Sequence, residues 1–104
     1  MPDISIVRNF VLIYEVADEF EKKRLPHRAQ HLRLAGEFRK RGEFVMGGAV
    51  GDPPDRALLV FHGDRSVAEE FASRDPYVQT GLVRRWEVQP WAVIPGEVFD
   101  NLRG

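Results

Sequence analysis

Between Glu21 and Phe44 the stretch EKKRLPHRAQHLRLAGEFRKRGEF spaces its apolar residues as an amphipathic helix does, and two runs that read as strands flank it, FVLIYEV before and FVMGGAV after. A helix held between two strands has a sheet on which to lay its apolar stripe. At about 100° per residue, His27, Arg28, His31, Leu32, Leu34, Ala35 and Phe38 share one arc, while Gln30, Arg33, Glu37, Lys40 and Arg41 occupy the opposite one. His31 therefore belongs to the buried stripe. An imidazole there must find a partner or stay neutral, since an unsatisfied buried nitrogen costs roughly 1–3 kcal/mol, so a polar group from elsewhere in the chain is expected to meet it.

Pro26 fits only the first turn of this helix or a break, predicted near Leu25 and Pro26, and Gly42 after Arg39, Lys40 and Arg41 predicts the C-terminus. Asp18 is positioned to cap a short helical turn through Glu19 to Arg24. In the strand Phe44 to Val50, Gly47 and Gly48 weaken regular pairing and point to a bulge or to the close approach of a backbone or ligand. GDPPD reads as a turn that leads by a hairpin into a third strand, Ala57 to His62. Ser66 with Glu69 forms a capping-box pattern for a helix through Ala72; Asp75-Pro76-Tyr77 then starts a new turn carrying Val78 to Leu82. Arg84 to Val93 reads as a fourth strand whose Pro90 places it at an edge or ends it.

Strand, helix, strand, strand, helix, strand predicts an α+β, ferredoxin-like βαββαβ sandwich: one antiparallel four-stranded sheet with the helices on one face. The opposite face needs cover, and a homodimer that buries sheet against sheet is the economical expectation.

A chain of 104 residues is expected to form one domain, 1–104, with a core over 10–92 and a tail over 93–104. No apolar run approaches the ~20 residues of a membrane span, and the first residues lack the pattern of an export signal, so a cytoplasmic protein with no membrane contact is expected. Without cysteine there is no thiolate nucleophile, disulfide or thiolate metal site. Fifteen basic residues against sixteen acidic ones leave no charge imbalance to gather a nucleic acid.

The residues able to carry chemistry each have a plainer reading. His27 and His31 have the i, i+4 spacing of a metal pair, but no His-Glu-x-x-His arrangement completes it, and no metal or cofactor is expected. For His31 a hydrogen-bonded core role and a catalytic role are evenly balanced. Asp75 before Pro76 is first of all a helix cap, worth about 1 kcal/mol. Arg28 is a rim residue or a holder of an anionic group. Tyr77 and Trp86 read as core aromatics ahead of ligand stackers. Gly47-Gly48 is too short for a dinucleotide fingerprint and lies on a strand.

The strand FVLIYEVAD, the segment EKKRLPHRAQHLRL with its Arg-x-x-His-Leu, then GEFVMGG, and EEFASRDPYVQTGLVRRWEVQPW with its Asp-Pro-Tyr resemble, in order and spacing, the YciI-like family of the dimeric α+β barrel superfamily. The likeness spans about residues 10 to 92, with Ala49 standing where relatives tend to have Pro. It implies a ferredoxin-like homodimer with a catalytic pair in a cleft, here His31 and Asp75, and a site completed for substrate by Arg28, Tyr77, Gly47 and Gly48. With no nucleophile in sight, it points to a cofactor-independent lyase or isomerase with dehydrochlorinase-like proton transfer on a small molecule. The alternatives are a non-catalytic dimeric module that binds a ligand or protein, and a cofactor-free oxygenase.

Overall fold

In the computed structural model, which describes residues 6–101, all neighbouring strands pair antiparallel. β1 (Val7–Val16) lies between β3 (Pro54–Phe61) and β4 (Val83–Val93), and β2 (Phe44–Gly51) is the edge beyond β3, for the order β2-β3-β1-β4. β1 is central because its residues are almost continuously apolar, while β4 takes the other edge, where Pro90, opposite Phe10, removes a donor at least cost. The ferredoxin-like α+β reading thus holds. The tips of the predicted polar lead-in and tail, 1–5 and 102–104, lie outside the described residues.

Period-two alternation sends Leu12, Tyr14, Val16, Leu59 and Phe61 to one side of the sheet, where they form a single core with Leu34 and Phe38 of α2 (Arg28–Lys40) and Ala68, Phe71 and Ala72 of α3 (Arg65–Arg74). The predicted break at Leu25 and Pro26 is real. A short α1 (Phe20–Lys23) passes through a 3₁₀ turn, Leu25–His27, into α2. Gly42, at φ 76, ends α2 with paired bonds from Gly42 N–H to Arg39 O (2.9 Å) and from Glu43 N–H to Phe38 O (2.9 Å), the arrangement that satisfies orphan carbonyls at a helix end.

Several local expectations are corrected. Asp18 does not cap α1: its side chain turns toward Arg84 (3.5 Å), and the helix starts from Glu19 in the left-handed region. α3 is capped by Asp64, whose Oδ1 accepts from Ser66 N–H at 3.0 Å, because an Asp two residues ahead offers its carboxylate to the first free amide before Ser66 can. The restart after Asp75 is only α4 (Pro76–Gln79), since Gly81 adopts φ 81 and turns the chain into β4. The irregularities in β2 fall between Phe44 and Met46 and between Val50 and Gly51, so Gly47 and Gly48 keep register with Leu59 and Leu58, and of the two expectations for them it is the close approach of a backbone, at Gly47, that the structure shows.

Candidate active site

Three separate stretches converge beneath the helices. Pro76 disfavours the α conformation in the residue before it, so α3 stops and Asp75 takes an extended backbone (φ −72, ψ 122). Its carboxylate is then aimed back over the new turn, where Oδ1 accepts from Tyr77 N–H at 3.0 Å. The same carboxylate is fully buried, and it is shared: Oδ2 accepts from the Tyr14 hydroxyl of β1 at 2.7 Å, and Oδ1 lies 2.9 Å from Nδ1 of His31 on α2. The helix-cap reading and the histidine-partner reading of Asp75 are therefore one geometry.

A carboxylate only accepts, so its contact with His31 calls for a hydrogen on Nδ1, and in the neutral ring Nε2 is then the nitrogen that keeps its lone pair. The ring is fixed from two further sides: it stacks on Tyr77 with centroids 3.9 Å apart and planes within 8°, and meets the edge of Phe71 at 5.9 Å. Burial, reinforced by the Asp75 charge, pushes the Tyr14 phenol far above its ordinary value, so Tyr14 remains a hydrogen-bond donor at any ordinary pH. Burial also raises the Tyr77 phenol, against the nearby Arg28 cation.

Beside this cluster lies a cavity of about 240 Å³. His31, 14% exposed, opens onto it with Arg24, Arg28 and Tyr77, while Gly47, Gly48, Leu59 and Phe44 form the strand-side wall. The structure thus brings together all six residues singled out from the sequence: His31, Asp75, Arg28, Tyr77, Gly47 and Gly48. Gly47 has a visible reason to lack a side chain: a Cβ there would sit 3.2 Å from Leu59 Cγ and 3.3 Å from Leu58 O. Trp86, read as a core aromatic, is instead 37% exposed near the start of β4. His27 and His62 are not among the residues lining the cavity, and among the described residues no group of three or more His, Asp or Glu is placed to hold a metal.

Two residues of this site escaped the sequence reading, Tyr14 and Arg24. Tyr14 carries the only hydroxyl in FVLIYEV, and a hydroxyl on a buried strand must find an acceptor; that was the available signal. Arg24 had none, lying in the short α1 to 3₁₀ junction that only the tertiary fold swings over the cavity.

The βαββαβ order, with a buried carboxylate and a histidine at one cavity, defines a ferredoxin-like α+β protein with a polar cluster at one side of a largely apolar cleft. More particularly, the chain belongs to the YCII-related domain family, whose model matches residues 8–92. Among solved structures it is similar to 5-chloro-2-hydroxyhydroquinone dehydrochlorinase from Burkholderia phenoliruptrix AC1100 in complex with 2,5-dihydroxybenzoquinone, with a TM-score of 0.64 at 17% identity over 80% of this chain and 92% of that one. At that identity the likeness is one of fold. No curated protein matches the sequence. No helix among the described residues is long and apolar enough to cross a membrane.

Proposed function

We propose that the chain is a cofactor-independent lyase or isomerase in which His31 moves a proton on a small molecule in the cavity, Asp75 orients the imidazole, and Arg28 holds an anionic group of the substrate. The observation that carries this reading is the 2.9 Å contact between a cavity-lining histidine and a buried carboxylate that is itself clamped by Tyr14. Holding Nδ1–H fixes the tautomer and makes Nε2 the better base, the role an aspartate plays toward histidine in hydrolytic triads. Dehydrochlorination, the reaction named for the structural neighbour, removes a proton and a chloride ion, and a base so held can take the proton while chloride leaves to solvent. Chloride release from 5-chloro-2-hydroxyhydroquinone, and deuterium incorporation from heavy water into related quinols and lactones, test the reading. His31→Ala is expected to lower turnover by about 100-fold or more in a protein that stays folded, while melting somewhat earlier because the Asp75 carboxylate loses a partner. A folded His31→Ala protein that retains full turnover removes the role, and wild-type protein that binds these compounds but returns them unchanged favours the ligand-binding module.

We further propose a homodimer formed through the sheet face opposite the helices. Alternation puts Val11, Ile13, Leu58 and Val60 there, with Met46 (59% exposed) and Trp91 (40% exposed) beside them. Met46→Glu, at the exposed part of that face, is expected to halve the mass measured by light scattering; a monomeric wild-type protein would refute the interface.

A further inference from the structure

The cavity contains more hydrogen-bonding capacity than the protein uses. Tyr77 is 2% exposed, yet its hydroxyl has no hydrogen-bond partner among the described residues, and Nε of Arg24 is likewise buried and unpartnered. Buried polar groups left in this state are costly, so a pair of them at one cavity is expected to be met by something that enters it. Both residues border the same space as Arg28, which comes near enough to the Tyr77 hydroxyl to oppose the rise in its pKa without making a hydrogen bond of good geometry. Arg24 is braced over the Phe20 ring at 5.3 Å, and Phe20 meets Tyr77 edge-on at 5.5 Å, so guanidinium and phenol belong to one packed unit.

Among the described residues no carboxylate lines this cavity; Asp75, beneath it, already accepts from Tyr14 and Tyr77 and faces His31. Two guanidinium groups and a phenolic hydroxyl are all donors, and two of the three carry positive charge. That set recognises an oxyanion. The volume, about 240 Å³, exceeds the roughly 150 Å³ that accepts a benzene ring and is below that of drug-sized sites, which leaves room for one ring with small substituents.

We propose that Arg24, Arg28 and the hydroxyl of Tyr77 form a receptor for the oxyanion of a single-ring organic acid, with Arg24 and Tyr77 setting the preference for an anion over its neutral analogue. This rests on reading the cavity as a ligand site, and not on proton transfer by His31.

Benzoate and benzamide, nearly equal in shape and different in charge, are the probes, with affinities taken from amide chemical-shift titrations of the full chain. Wild-type protein is expected to prefer benzoate by about tenfold or more. Arg24→Gln should remove most of that preference while leaving benzamide binding unchanged. Tyr77→Phe, which keeps the ring stacked on His31, should weaken benzoate by several-fold. Undetectable benzoate binding, equal affinity for the two probes in wild type, or full selectivity in a folded Arg24→Gln protein overturns the proposal. His31→Ala separates the two readings: it should abolish turnover and spare the selectivity for benzoate, so either can fail while the other stands.

Discussion

Two hollows meet at Tyr14, and they are built on opposite principles. The larger, about 640 Å³, opens at the end of the sheet between Pro53, Arg56 and Arg84 to Glu87. Its charges pair with one another at the surface, Arg84 with Asp18 and Arg85 with Glu15, each at 3.5 Å between side chains at least half exposed. The smaller lies over one buried carboxylate with donors closed around it, and has two buried donors left over. Size is therefore a poor guide to chemistry here. Water satisfies the large hollow at almost no cost, whereas the small one confines polar groups that only a precise partner can satisfy.

The strongest way to break this contrast is to remove the carboxylate. Asp75→Ala strips the cap from α4 and leaves the Tyr14 hydroxyl and the Tyr77 amide buried without a partner, so a loss of about 2–5 kcal/mol in urea denaturation is expected. Asp75→Asn keeps an acceptor for the Tyr77 amide and should lose clearly less. Equal losses for the two would mean that the cluster is held by packing, and that its polar geometry matters little.

A smaller effect separates the adjacent glycines. Gly47→Ala meets Leu59 and the Leu58 carbonyl, neither of which is a free side-chain tip, and is expected to cost about 1 kcal/mol and to weaken benzoate binding. Gly48→Ala has nothing within 4 Å of the new methyl and should be neutral or slightly stabilising. If the two variants behave alike, the strand-side wall of the cavity is softer than this packing implies.

The same contrast extends to exposed charges at the seam between α2 and α3. Hydrogen bonds from Arg74 hold the Glu37 carboxyl below its ordinary range, and those from Arg41 do the same for Glu70. A depressed carboxyl contributes stability above its ordinary value and loses it as pH falls through the lowered one, so Glu70→Gln should lower stability slightly at neutral pH, flatten the acid limb of the profile, and converge with wild type in acid. The least effect of all is expected from Arg84→Gln in the large hollow, with melting curve and benzoate affinity those of wild type.

Much of this architecture is written locally. The apolar runs specify strands, the 3.6-residue stripe specifies α2 and places His31 on its inner side, Pro26 breaks the helix, and Gly42 ends it, because each depends on backbone preference or on periodicity within a few residues. Capping was less legible, since Asp18, Asp64 and Ser66 are chemically similar and only the incoming chain direction decides which carboxylate reaches a free amide.

By itself, then, the sequence determined the alternation of strands and helices, the inward histidine, and the Asp-Pro break that frees a carboxylate at position 75. Tertiary structure alone decided that Tyr14, 61 residues away, and His31, 44 away, would close on that carboxylate, and that Arg24 would stand over the same cavity with a spare donor. The physical reason is range. Helix and strand preferences act across one or two turns of chain, whereas satisfaction of a buried polar atom is settled only when the sheet register and the helix packing bring distant residues within hydrogen-bonding reach.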